Sequence, residues 1–187
     1  VGSEMCIRDR SIAAQIAKLK GCRVIGVAGG TEKCRWLTET AKIDAAIDYK
    51  AAKLEEVIPE LCPEGIDVIF DNVGGDFLNI ALTHINQSAR IAVCGAISGY
   101  NNETPAPGPA NYTALIIQRA RMEGFIVLDY MDKFPEAIAD LMKWVQEGKI
   151  TYQEDIQEGI ENAPDTLLRL YTGKNQGKQL LKVADPD

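Results

Sequence analysis

The chain has 187 residues, 46% of them hydrophobic, and a formal net charge of -7. That is enough apolar material for one sizeable core and the start of a second unit. The acidic balance, with no basic stripe interleaved with aromatic residues, excludes a nucleic-acid surface, and no apolar run is long enough to span a membrane.

Residues 1–10, VGSEMCIRDR, carry two acids and two arginines without an apolar segment between them, which excludes a secretory signal. The string resembles translated sequencing-adapter read-through and is expected to be a non-native leader. From Ser11 the chain alternates between helix and strand. Ile12, Ile16 and Leu19 fall on one helical face that Gly21 ends, and residues 23–28, RVIGVA, read as a strand closed by Gly29 and Gly30. Thr31 can cap a second helix with Trp36 and Leu37 inward, and a short strand at 46–48 leads to Tyr49 and Lys50. A third helix places Leu54, Val57, Ile58 and Leu61 on one side before Pro63 and Gly65 break it.

The stretch 66–75, IDVIFDNVGG, reads as a buried strand ending in a polar-glycine turn. Val68, Ile69 and Phe70 form the continuous apolar run expected of a parallel strand covered on both faces, and Asp71 and Asn72 bring polar groups to its carboxyl end. A helix with Leu78, Ala81, Leu82 and Ile85 on one face follows. Next come a strand at 89–94, a long polar loop at 95–109, a further helix, and a strand around 124–128. An amphipathic helix carrying Phe134, Ile138, Leu141, Met142 and Val145 then runs to Gly148. After Lys149 a strand at 152–159, a helix opened by Pro164 with Leu167, Leu168 and Tyr171 inward, and a last strand at 178–183 form a piece too short to be a domain.

Strands separated by helices predict an α/β fold with a doubly wound parallel sheet of the Rossmann type. The first recognisable element is the helix that should follow the glycine-rich phosphate turn, so the sheet is expected to lack its first strand and that turn, and the isolated product to be poorly stable. The expected organisation is a leader at 1–10, an incomplete cofactor-binding domain at 11–150, and a C-terminal segment of a separate catalytic domain at 151–187. The acid that would bind a ribose diol at the end of the second strand is absent. Gly29, Gly30 and Thr31 stand there, followed by Lys33 and Arg35, which favours a 2′-phosphate. Five cysteines, Cys6, Cys22, Cys34, Cys62 and Cys94, give neither a C-x-x-C pair nor an even set, so neither a disulfide framework nor a zinc site is signalled and a reducing cytoplasm is expected.

The ordered strings GGTEKCRWL, AIDYK, FDNVGG, RIAVCGAISGYN, RMEGFIVLDY, WVQEGKI, EGIENAP and GKNQGK resemble the zinc-independent medium-chain dehydrogenase/reductase family, in its prostaglandin reductase and 2-alkenal reductase branch. The resemblance spans Ser11 to Asp187. It implies NADP as cofactor, reduction of the carbon-carbon double bond of an enone or enal, a homodimer, and a catalytic domain preceding the cofactor domain. Lys33 then corresponds to the phosphate-binding lysine, Tyr49 to the tyrosine beside it, and Asn72 to a cofactor-binding asparagine. A solvated helix face competes for Lys33 and an ordinary turn cap for Asn72; Arg35 fits the phosphate and the solvated face equally.

The resemblance further implies that the backbone of Cys94, Gly95, Ala96, Ile97 and Ser98 lies along the nicotinamide ribose, and that Phe125, Ile126 and Val127 face the carboxamide, although a plain buried strand also explains these three. Asn175 matches a cofactor-contacting asparagine, with a turn residue as the competing reading. Tyr100 matches the tyrosine that reaches the substrate oxygen, where a hydroxyl donor would stabilise the enolate left by hydride addition. Gly99 departs from the glutamine or threonine often found there. His84, the only histidine, has no ligand cluster around it, so no metal is expected. A quinone reductase of the same superfamily and a non-catalytic NADPH sensor are the alternatives. A methyltransferase is disfavoured because it wants an acid after the second strand and a glycine-rich first turn.

Overall fold

The computed structural model describes residues 7–99, 104 and 107–184. The helices are α1 (Ile7–Leu19), α2 (Thr31–Glu39), α3 (Leu54–Leu61), α4 (Gly75–Leu82), α5 (Ala114–Ile117), α6 (Phe134–Gln146) and α7 (Ala163–Thr172). The strands are β1 (Ile25–Ala28), β2 (Ala45–Asp48), β3 (Ile66–Asp71), β4 (Ile85–Val93), β5 (Arg121–Gly124), β6 (Glu154–Glu158) and β7 (Lys178–Lys182), and 3-10 turns cover Ile97–Gly99, Val127–Lys133 and Ile160–Asn162. Every described ladder is parallel: β1 with β2, β3 with β4, β4 with β5, and β6 with β7. Helices between parallel strands give the Rossmann-like architecture that the alternation predicts.

The core gathers Ile25 and Val27 of β1, Ile58 of α3, Ile69 of β3, Leu82 of α4 and Ile91 of β4, each at most 2% exposed. A smaller cluster of Val24, Ala28, Leu37 and Ile43 packs against Trp36 and Ala17, seating α2 and α1 beside β1. β1 is buried at all four positions, as a strand covered on both faces should be.

α1 begins at Ile7, ahead of Ser11, because residues 7–10 hold no glycine or proline to stop a helix. Several expectations are corrected. The strand expected at 124–128 is β5, ending at Gly124, and a 3-10 turn follows from Val127. β3 is not covered on both faces, since Val68 is 46% exposed while Ile69 is fully buried; adjacent strand residues point to opposite sides, and only the side of Ile69 meets the main core. The apolar face of α7, expected inward, is open: Leu167, Leu168 and Tyr171 are each more than half exposed. Ile138 and Met142 of α6 are open as well, so the periodicity of these two helices marks faces that no described element covers.

The β6–α7–β7 piece is tied to the rest at three points. Gln15 of α1 pairs with the backbone of Thr151, Lys33 of α2 donates to the Gly173 carbonyl, and Gln176 donates to Glu32.

Candidate functional site

The described sequence-predicted residues between 33 and 127 sit at, or shortly beyond, the carboxyl ends of parallel strands, where open α/β sheets bind ligands. After β1, the turn of Gly29 and Gly30 leads into α2. A Cβ added at Gly29 would stand 2.9 Å from the Tyr49 ring and hydroxyl, so only glycine lets that exposed tyrosine lie against the turn. Gly30 has φ 108 and donates its N–H to Asp48 Oδ1 at 2.8 Å. The acid at the end of β2 therefore fixes the β1 turn, a role that residue spacing alone does not reveal.

Lys33, half-buried in the first turn of α2, donates from Nζ to the Gly173 carbonyl at 3.0 Å. Gly173, at φ 65, is the left-handed cap of α7, and a cation beside a helix carboxyl terminus meets the negative end of its dipole. Lys33 also lines a cleft of ≈ 340 Å³ with Glu32, Arg35, Trp36, Gln153 and Gln176. Sequence reasoning missed Gly173 and Gln176 as its neighbours, because 140 residues separate Gly173 from Lys33.

At the end of β3 the chain builds a tight polar turn. Asp71 is fully buried; its Oδ1 accepts the N–H of Val73 at 2.9 Å, and the N–H of Gly74 lies 3.1 and 3.0 Å from its two oxygens. Gly74, at φ 68 and ψ -149, occupies a region essentially closed to other residues. The loop after β4 is stitched to this turn: Cys94 N–H donates to the Asp71 carbonyl at 2.7 Å, Ile97 N–H to that of Asn72 at 3.1 Å, and Ser98 N–H to that of Val73 at 3.2 Å. The Ser98 hydroxyl donates to the same Val73 oxygen. Asn72 itself is half-buried, and its side-chain amide makes no hydrogen bond to a described residue.

Cys94, Ala96 and Ser98 are exposed along this loop, with Gly95 and Ile97 half-buried. Phe125 packs beside Phe70 and Tyr130, with ring centroids 6.4 and 6.2 Å away, while Ile126 and Val127 are about as open as the loop, at 63% and 59%. The plain buried strand does not describe them. Asn175 is 1% exposed; its Nδ2 donates to the Gly177 carbonyl at 2.9 Å, and its Oδ1 is buried with no partner among the described residues. Close by, Asp155 accepts bonds from the Gln176 N–H, Arg169 and Gln157. Burial alone would raise its pKa, but these donors and the Arg169 charge outweigh burial and hold the carboxyl below its ordinary value. Tyr100 lies outside the described residues. Among the described residues no group of three His, Cys, Asp or Glu could hold a metal ion, and no helix is long and apolar enough to cross a membrane.

The arrangement places a lysine ammonium after β1, the Asn72 amide after β3 and the 94–98 loop after β4, with the Asp48 carboxylate committed to the Gly30 N–H. It suits an extended anionic ligand laid across the strand ends.

Comparison with known proteins agrees with this geometry. Residues 11–147 match the family described as "Zinc-binding dehydrogenase". Prostaglandin reductase 1 of Bos taurus is 47% identical over 176 residues, which cover 92% of this chain and 53% of that protein. NADPH-dependent curcumin reductase of Escherichia coli (strain K12) is 45% identical over 178 residues, covering 92% of this chain and 52% of that protein. The crystal structure of CurA in complex with NADPH from Vibrio vulnificus superposes with a TM-score of 0.91 at 40% identity, covering 99% of this chain and 56% of that one. Likeness in fold alone extends to the Escherichia coli quinone oxidoreductase, at 19% identity. The chain spans about half the length of the curated relatives it matches.

Proposed function

Because the chain belongs to the medium-chain dehydrogenase/reductase family, in its zinc-independent alkenal reductase branch, we propose that it supplies the cofactor-holding part of an NADPH-dependent reductase acting on the carbon-carbon double bond of enones and enals. The observation that carries this reading is the turn after β3. It is braced on every side by backbone hydrogen bonds, yet it leaves the Asn72 amide without a partner among the described residues.

The residues present fit NADPH. The orphaned Oδ1 of Asn175 is a buried acceptor that a hydroxyl or amide donor would satisfy. Lys33, whose ammonium reaches the Gly173 carbonyl in the first turn after β1, would meet a 2′-phosphate there through charge-assisted bonds. Bound NADPH would supply the hydride that adds to the β carbon. Asn72 would hold the cofactor beside the 94–98 loop, whose exposed backbone would lie along the nicotinamide ribose. Phe125, Ile126 and Val127 would face the carboxamide. Tyr100 would donate its phenolic proton to the oxygen that becomes negative as the β carbon accepts hydride.

Residues 11–150 are read as the cofactor-binding unit and 151–187 as part of a catalytic unit, a division supported by the family match ending at 147. None of the four described cysteines is in a disulfide, which suits a reducing cytoplasm. A homodimer is supported by β5, which closes the described order β3-β4-β5, and by the open Ile126, Val127 and Leu128 beyond it.

The test is a hybrid in which residues 11–187 replace the matching half of the Escherichia coli curcumin reductase. NADPH oxidation with an α,β-unsaturated ketone, yielding the saturated ketone, is expected. A folded hybrid that turns over quinones and no enone would overturn the assignment in favour of the quinone reductases.

A further inference from the structure

Among the described residues Asp71 is the one carboxylate with no measurable exposure, and the chemistry above makes no use of it. It cannot touch a ligand directly, and a buried carboxylate is costly unless its lone pairs are filled. Both oxygens are filled, and they are filled by the backbone of the turn that carries Asn72: Val73 N–H at 2.9 Å and Gly74 N–H at 3.1 and 3.0 Å. With these two N–H groups drawn inward, the carbonyls of Asn72 and Val73 are directed at the loop after β4, where they accept from Ile97 and Ser98. Two turns from different strands thus become one block.

We propose that Asp71 is the positioning residue of the cofactor site: its carboxylate sets the 71–74 turn so that the Asn72 amide and the 94–98 backbone face the nicotinamide side of NADPH together. The inference rests on the NADPH reading above. A carboxylate suits the task because it is acceptor-only, whereas the isosteric amide would turn an NH₂ group toward the Gly74 N–H. Gly74 completes the device, since its φ of 68 with ψ of -149 is available to glycine alone. At the neighbouring Gly75 a Cβ would come within 3.0 Å of Ser98 Oγ, so the approach of the two turns leaves no room for a larger residue unless that hydroxyl moves.

A double-mutant cycle in the hybrid enzyme tests this, read by NADPH fluorescence on binding and by Tm as well as by turnover. Asp71→Asn is expected to raise the Kd for NADPH about tenfold, the size of one charge-assisted hydrogen bond, with kcat at saturating cofactor changed much less. In an Asn72→Ala background the same substitution is expected to raise Kd by clearly less than that, because the amide is already gone and only the placing of the 94–98 backbone still depends on the turn. Equal penalties in both backgrounds would overturn the proposal, as would unfolding of both Asp71→Asn and Asp71→Ala, since the carboxylate would then serve the fold alone. If Asn72→Ala by itself leaves NADPH affinity intact, the reading of the site fails, an outcome distinct from additive penalties in the cycle.

Discussion

Gln15 on α1 and Thr151, 136 residues later, pair like neighbours in a sheet: Gln15 Nε2 donates to the Thr151 carbonyl at 2.9 Å, and Gln15 Oε1 accepts the Thr151 N–H at 2.8 Å. Gln15 is 4% exposed, Nε2 also donates to the Ser11 carbonyl, and Ile150 beside the pair is 2% exposed. The contact fixes the point where the sheet domain hands over to the β6–α7–β7 piece. Gln15→Leu keeps the bulk but removes both bonds to Thr151 in a part-buried site, a loss of roughly 1 kcal/mol. Urea unfolding should show a lower midpoint, and an unchanged midpoint would mean that the pair contributes nothing.

Lys33 is the residue we propose to decide cofactor choice. Its ammonium is already placed by the Gly173 carbonyl, and a 2′-phosphate would add charge-assisted bonds. Lys33→Ala in the hybrid enzyme should weaken NADPH binding by about 1 to 3 kcal/mol and leave NADH nearly unaffected. Parallel titrations with the two cofactors check it; equal losses for both would assign Lys33 to docking the 173–177 loop.

Tyr100 should act on turnover and not on binding. Tyr100→Phe removes only the hydroxyl, and by analogy with the loss of one oxyanion donor kcat for an alkenone should fall roughly tenfold to a thousandfold. NADPH affinity and Tm should change little. Steady-state kinetics alongside cofactor titration separate the outcomes: an unchanged kcat, or abolished cofactor binding, would each remove Tyr100 from the chemistry.

Acid should loosen the β6–α7–β7 piece through Asp155. This carboxyl, bonded to Arg169 at 2.7 Å, has its folded pKa below the ordinary 3.8. The sign follows from linkage: a depressed folded pKa contributes stability above the unfolded value, and that stability disappears as pH falls through the folded one. The contribution is therefore complete near neutrality, begins to fall below about pH 4, and is lost only as pH drops through the lower folded value. Arg169→Gln should reduce Tm at pH 7 and by progressively less as pH falls below about 4, as a series of thermal scans would report.

How much of this was legible in the residues depends on distance along the chain. The alternation of apolar runs with helical stripes locates β1 to β4 and their helices within a few residues, because periodicity is a local property, whereas β5 lies almost wholly ahead of the stretch its apolar run suggested. Lys33, Tyr49 and Asn72 are singled out by the family resemblance, and the structure sets them at or shortly beyond strand ends. Periodicity failed at the amphipathic α7, where the stripe of Leu167, Leu168 and Tyr171 correctly marked an apolar face but could not say that this face stays open. Pairings across long separations were decided only by the tertiary structure: Gln15 with Thr151, Lys33 with Gly173, and the Ile97 and Ser98 N–H groups with the carbonyls of Asn72 and Val73. A glutamine or a backbone carbonyl carries no positional signal of its own. Its partner is chosen when packing buries both groups away from water and each must find a hydrogen bond within reach.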